Sequence, residues 1–468
     1  MAAHAAVNGT VNVNQIEGST LAAITGADIN KDLDQAGDVS VVSHDYTNSA
    51  GLVGTASIGA IGAGVGLGSD TNTISRGVEA AVSGKNDGSK STVNADDFTV
   101  EADAKQGISS LTVSGAGAGI GGGVSNATSV TLLEGKTTAS VKNANITASN
   151  ADILATHTSK LNTMGAVLGA AGVGAGVGVG VSVLNENSET TADVTGATIS
   201  LADDAGDVNV KAENSTKVDY ELYGIGGGLA GAAGAIGVSN VNSKVNASVV
   251  GSQIGSESGK AHDINIASAN HIDFTNNSGS DAGGAAGVGV GVAVNTIDSQ
   301  VNTSVGNSDL YAANDINVTA QETRKIEQMA ANSQVGGAAA GANVMITNVG
   351  SAVADSYGSG LQTDEDGNVK DGSGVNIDEI YEQANKAVEG NKLQSEYTNN
   401  QVAADDIKSA EAGRGGARES IVKVTIDDAS LNAGNKVTAD ATADTSVSMD
   451  AIQILAERSH RLTAPLES

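Results

Sequence analysis

The stretch GVGAGVGVGVSVLN, from Gly172 to Asn185, decides the fold because variants of it recur along the chain. Two further clear copies are AGAAGAIGVSN (Ala230 to Asn240) and GAAGVGVGVAVN (Gly284 to Asn295). A repeat of about 56 residues is typical of a solenoid, in which each unit buries its apolar face only against its neighbours. About seven such repeats are present, and they predict an all-β, stacked architecture.

A second pattern aligns the repeats. It is a β-branched residue, then another apolar residue five positions on, as in VTGATI (Val194 to Ile199), and then a strand such as DVNV (Asp207 to Val210). The β-branched starts are 58, 59, 53, 55 and 56 residues apart; they are Ile24, Val82, Val141, Val194, Val249 and Val305. The strands that follow these patterns are DVSV (Asp38 to Val41), DFTV (Asp97 to Val100), DILA (Asp152 to Ala155), DVNV, DINI (Asp263 to Ile266) and DINV (Asp315 to Val318).

The next start, Ile426, lies 121 residues beyond Val305, which is one ordinary period plus an insertion. The predicted domains are therefore solenoid repeats over 1–355, an insertion over 356–419, and a final repeat with a tail over 420–468.

Composition favours stacked strands with a thin core. The 468 residues include 62 glycines and only 2% aromatic residues, so Ala, Val, Ile and Leu must supply the interior. Small and β-branched side chains suit layered strands. A 56-residue unit is long enough for two or three coils of a parallel β-helix, which predicts a rod on the order of 100 Å long.

Alternation along the glycine run gives one face of valines and one of bare glycines. The valine face is expected to be core, and the glycine face to lie against a neighbouring backbone layer. An asparagine follows each run, and stacked asparagines are predicted to form a structural ladder. Its members are Asn126, Asn185, Asn240 and Asn295, with Asn72 and Asn348 at the outer repeats.

The insertion differs from the repeats. Thr363 to Gly374 is a polar turn region, and apolar residues from Ile377 to Val388 at helical spacing predict an amphipathic helix. Either this module projects and binds a partner, through Ile380, Tyr381, Arg414 and Arg418, or its helices cap one side of the sheet; both interpretations stay open. A D-x-D-x-N-type loop offers Ca²⁺ ligands at Asp364, Asp366, Asn368 and Asp371, but a solvated turn is the favoured interpretation.

Several functions are disfavoured. The net charge of −30 repels phosphate, so no nucleic acid binding is expected. The apolar run from Met164 to Leu184 alternates with period two, so it is not predicted to insert into a membrane. GAGIGG (Gly117 to Gly122) matches a dinucleotide motif by chance, and no cofactor is expected. The six histidines lack metal-ligand spacing, and His262 and His271 are predicted to be turn residues.

The GAGVGVGVSV-type runs, the VTGATI and DVNV rungs and the trailing Asn resemble the repeat regions of very large bacterial exoproteins, the leukotoxin-like and filamentous haemagglutinin-like adhesins. The resemblance covers residues 20–355 and 420–455. It implies export by a type V route (autotransporter or two-partner secretion), a right-handed parallel β-helix, and a location outside the cell or on the bacterial outer-membrane surface.

Two functions from different classes are expected on this basis. One is a structural stalk or passenger segment, an elongated monomer without enzyme activity that contributes to adhesion or biofilm through an unidentified cell-surface receptor or glycan. The alternative is a ligand-binding or toxic segment that acts through the 356–419 insertion. A β-helix polysaccharide-degrading enzyme ranks below both, since the 24 basic residues are scattered rather than clustered with carboxylates.

Overall fold

The computed structural model describes residues 5–33, 36–202, 205–336, 338–350 and 420–457, and within these ranges every helix or strand element is a strand. The strands form two sheets, of 12 and 6 strands, and all strand pairs are parallel. The predicted all-β class is confirmed, and the stacking of parallel strands is consistent with a β-solenoid. The predicted helices of the insertion lie outside the described residues.

The described strands are 2 to 46 residues long. They are β1 (Ala6–Thr25), β2 (Val39–Ser83), β3 (Ser91–Asn94), β4 (Asp97–Lys142), β5 (Ala144–Ala148), β6 (Asn150–Thr195), β7 (Thr198–Leu201), β8 (Val208–Gly227), β9 (Ala230–Val250), β10 (Gln253–Ile254), β11 (Ile264–Gly283), β12 (Ala286–Gly306), β13 (Asp309–Ala312), β14 (Asp315–Gly336), β15 (Ala338–Val349), β16 (Ile421–Asp427), β17 (Ser430–Ala433) and β18 (Lys436–Glu457).

Each repeat forms a single coil. A first-face strand runs to a glycine-rich turn, which we call the tip; a second-face strand returns from the tip, and a short third strand closes the coil. In β2, β4 and β6 the first-face and second-face strands are one continuous strand. We number the coils 1 to 6, beginning at β2, β4, β6, β8, β11 and β14. β1 is a second-face strand before coil 1, and β18 is a first-face strand after coil 6.

The register establishes the coil count, because every strand pairs with its equivalent one repeat away. Asp97 lies opposite Asn150, and Ala230 lies opposite both Ala175 and Ala286. The expectation of two or three coils per repeat is therefore wrong, and so is the rod of about 100 Å. Six steps between strands span roughly 30 Å along the stack, whereas a face of about 20 residues is roughly 65 Å wide.

The predicted repeat starts are in register. Ile24, Val82, Val141, Val194, Val249, Val305 and Ile426 pair in that order, each with the next. The middle five are fully buried in the larger apolar cluster, together with the third-strand residues Ile146, Ile199 and Ile254. The alignment is wrong at one strand: Asn150, not Asp152, stands in the row of Asp97 and Asp207. The third copy of this strand pattern is therefore NADI (Asn150 to Ile153) and not DILA.

The corner between the second face and the third strand requires a left-handed backbone. Residues with positive φ occur there before coil 1 and in coils 2 to 6: Gly26 (66°), Asn143 (50°), Gly196 (62°), Gly251 (59°), Asn307 (47°) and Asp428 (47°). Gly, Asn and Asp are the residues that tolerate this conformation, so the turn chemistry of the sequence defines the corner.

The glycine faces point inward at the tip. Gly176 and Gly178 are buried, whereas Val177 and Val179 face outward and are half-buried. A side chain at Gly176 would overlap the backbone of Gly227, so the two faces approach to a distance that only glycine permits. The expected contact of bare glycine with a backbone layer is confirmed, but the valine face is not the core there. The outward Val177 instead lies in register with Val124 and Ala232 of the neighbouring coils.

Away from the tip the interior widens and admits larger side chains. One apolar cluster lies beside the third strands, and a second, which includes Leu161, Tyr220 and Phe274, lies nearer the tip. Between them runs a layer of buried polar residues.

Candidate functional site

The predicted asparagine ladder exists only in part. Asn185 and Asn240 lie in register, and the Asn240 side chain donates a hydrogen bond to Asn185 over 3.4 Å. Asn126 instead lies opposite Leu67 and Val179, and Asn295 lies opposite Ser239. The four-membered ladder is therefore wrong, because repeats differ in length between glycine run and asparagine. A one-residue difference turns the side chain to the other face.

Asn295 shows that consequence directly. It is fully buried and accepts a hydrogen bond of 2.9 Å from Asn276 across the interior. The outer members also leave the row: Asn72 lies opposite Thr131, and Asn348 lies opposite Thr296.

A true amide ladder lies on the first face. Asn209 donates to Asp152 (2.8 Å), Asn265 donates to Asn209 (3.1 Å), and Asn317 donates to Asn265 (3.0 Å). The sequence signal was available, since these asparagines are the third residues of DVNV, DINI and DINV.

The remaining predicted site residues lie outside the described residues. These are the partner-binding candidates Ile380, Tyr381, Arg414 and Arg418 and the Ca²⁺ candidates Asp364, Asp366, Asn368 and Asp371.

Asn and Asp side chains cap the start of the first-face strands of coils 4 to 6. Asn150 accepts the backbone N–H of Asp207 (3.0 Å), Asp207 accepts that of Asp263 (3.1 Å), and Asp263 accepts that of Asp315 (2.9 Å). Coils 3 to 5 thus each satisfy a backbone donor of the next coil. This accounts physically for the leading Asp of the DxNV pattern.

His262 departs from this row of caps. Its Nδ1 lies 3.4 Å from Asp207 Oδ1 and 3.4 Å from Asp263 Oδ2, so one imidazole stands over carboxylates of two successive coils. Burial raises the pKa of Asp263, but hydrogen bonds from the Asp315 backbone and Asn314, and the nearby His262, lower it overall. His262 lies at a bend, as predicted, whereas His271 lies within β11 and not in a turn.

Two buried titratable groups, His157 and Glu186, lie in the interior of coil 3. His157 is fully buried; burial lowers its pKa to about 4, and the nearby Asp103 opposes that shift. Glu186 is also fully buried, and burial raises its pKa to about 7 against hydrogen bonds from Ser188, Ser159 and Thr216. Burial therefore favours the neutral form of both groups.

A shallow polar groove crosses the outside of the second face. Its walls include Glu134, Lys136, Glu189 and Lys244 from successive coils. Lys136 and Lys244 lie 3.8 Å and 3.6 Å from the Glu189 carboxylate. Rows of alternating charge at strand spacing could hold an extended polar ligand, but the charged side chains of this groove already pair with one another.

No family model, curated protein or solved structure matches the chain. Among the described residues no helix is long and apolar enough to cross a bilayer. The apolar run from Met164 to Leu184 that could suggest a span is part of β6.

Proposed function

We propose that the chain is a structural segment of a secreted bacterial surface adhesin, a right-handed parallel β-helix that carries adhesive modules and has no catalytic role. The observation that supports this most is the register: each repeat contributes one coil that pairs along its whole length with the coils above and below. Such a stack grows by addition of repeats and gives a wide, stiff support.

The strand-start caps and the amide ladder support the same proposal. They bond one coil to the next, and they use side chains that would otherwise be available for chemistry. The strongly acidic composition keeps parallel coils soluble outside the cell. The proposed location is extracellular or at the outer-membrane surface.

The alternative, a ligand-binding or toxic module over 356–419, has one observation in its favour. β15 and β16 pair with consecutive parts of the same strand, β12, and the Ser420 N–H donates to the Gly350 carbonyl over 3.3 Å. The chain therefore leaves coil 6 and rejoins it at adjacent points, which is typical of an inserted module.

Because the chain leaves and rejoins coil 6 at adjacent points, the inserted segment can be deleted without changing the coil. Joining Gly350 to Ser420 removes residues 351–419 and should leave the coils intact, because the two ends already touch. Binding of the full chain and the deletion variant to bacterial and epithelial cells is then compared, with circular dichroism and thermal unfolding as folding controls. The scaffold proposal expects equal binding by both. Binding that disappears while the fold persists would overturn it in favour of the module.

A further inference from the structure

We infer that Asp207, His262 and Asp263 form a binding site for a divalent late first-row transition metal ion, of which Zn²⁺ is the best fit. One Asp comes from the start of coil 4, and the His–Asp pair comes from the start of coil 5. The three ligand atoms all lie within 4.8 Å of one another.

The spacing carries the inference. Both His262 Nδ1–carboxylate distances are 3.4 Å, which is longer than an ordinary charge-assisted hydrogen bond. Two ligands at about 2.0–2.2 Å from a tetrahedral Zn²⁺ are roughly 3.3–3.6 Å apart, so both His262–carboxylate distances match the ligand–ligand distance of such a site. Octahedral Mg²⁺ would need shorter separations, and it favours oxygen over imidazole.

The carboxylate of Asp263 is held in place for this role. Its Oδ1 accepts hydrogen bonds from the Asn314 side chain and the Asp315 backbone, each 2.9 Å long, and Oδ2 is turned toward His262. Outer hydrogen bonds of this kind orient metal-binding carboxylates. Asp207 is held similarly, because its Oδ1 accepts the Asp263 N–H over 3.1 Å.

Solvent can reach the site and complete the coordination. The side chains of Asp207, His262 and Asp263 are 46%, 49% and 26% exposed. Three protein ligands with a water in the fourth position form a familiar tetrahedral arrangement. An ion bound here would pin coil 4 to coil 5 at the start of their first-face strands.

The equivalent position shows that the imidazole is specific to one coil. The His262 N–H donates to the Gly206 carbonyl, and the Asn314 N–H donates to the His262 carbonyl, so these three residues occupy one row. Only the His262 level combines an imidazole with carboxylates from two coils among the described residues.

The test is Zn²⁺ binding by the full chain, measured by isothermal titration calorimetry against His262→Asn and Asp207→Asn. Asp207→Asn removes the negative charge but keeps a side-chain oxygen that can accept the Asp263 N–H. The matched control is His271→Asn, which removes an exposed histidine from the same coil. We expect one Zn²⁺ per chain, at least about tenfold weaker binding in both site variants, and wild-type affinity in the control.

Co²⁺ gives a second readout, because tetrahedral Co²⁺ absorbs visible light far more strongly than the hexaaqua ion. The wild-type chain should show the intense band and His262→Asn should not. Equal Zn²⁺ affinity in His262→Asn and wild type, or an octahedral Co²⁺ spectrum in wild type, would overturn the inference. Circular dichroism without metal verifies that each variant is folded.

Discussion

Replacing Glu186 with Gln should remove a pH dependence from the stability of the fold. Glu186 stands in an otherwise apolar row, between Leu133 and Val241 of the adjacent coils. Its Oε1 accepts hydrogen bonds from Ser159 (3.3 Å) and Thr216 (3.5 Å), and its Oε2 has no hydrogen-bond partner. The fold therefore favours the protonated carboxyl.

The sign and size of the effect follow from the pKa, which burial raises from 4.5 to about 7. Well below pH 4.5 the group is protonated in both the folded and the unfolded chain, so it imposes no penalty. As pH rises, the unfolded chain ionises first and the free energy of unfolding falls, until the loss is complete above pH 7. A pKa change of this size corresponds to about 3 kcal/mol.

The measurement is urea unfolding of wild type and Glu186→Gln at about pH 4 and about pH 8, followed by circular dichroism. Other titrating groups cancel between the two proteins, so the variant should gain about 3 kcal/mol on wild type between these pH values. Glu189→Gln is the matched control, because Glu189 lies on the same strand with its side chain 39% exposed. Parallel pH curves for wild type and Glu186→Gln would refute the reasoning, as would an equal gain in the control.

Two substitutions test the packing between coils. Gly121→Ala should destabilise the fold by about 3 kcal/mol or more in thermal unfolding, because Gly121 has φ of 128° and an added Cβ would overlap the Gly62 carbonyl. The control, Gly227→Ala, adds a Cβ in open space and should change the stability by less than about 1 kcal/mol. Equal effects of the two substitutions would contradict the tip geometry. Asn265→Ala should lower the free energy of unfolding in urea by about 1–2 kcal/mol, because it breaks two hydrogen bonds of the ladder, whereas Asn126→Ala should lower it by about 0.5 kcal/mol. The opposite order of these two effects would support the trailing asparagines as the ladder.

The sequence predicted the register of the coils well. Its β-branched starts, from Ile24 to Ile426, are the residues that pair from coil to coil, because a buried row must repeat apolar side chains at equal spacing. The left-handed corners were not predicted, although Gly, Asn and Asp, the residues that tolerate them, occupy these positions in the sequence.

The number of coils per repeat was not predictable in the same way. Period alone gives the length of a unit, and a coil perimeter of about 56 residues requires faces of about 20 residues, which no local pattern distinguishes from several short coils. The inward direction of Gly176 and Gly178 was hidden for a related reason. Alternation separates two faces, but only the closeness of Gly227 decides which face is inside.

In a stack of equivalent coils, each residue can be compared with the residues at the same position of the neighbouring coils. Leu133, Glu186 and Val241 share one environment, and only Glu186 is titratable; Gly206, His262 and Asn314 share another, and only His262 carries an imidazole. Selection for stacking alone would make neighbours alike, so a costly or reactive exception is where a separate role should be sought. The aligned sequence contains both exceptions, but their significance depends on the coil register, which brings His262 of one coil to Asp207 of another. The exceptions within the described coils are therefore as informative as the insertion that breaks the period.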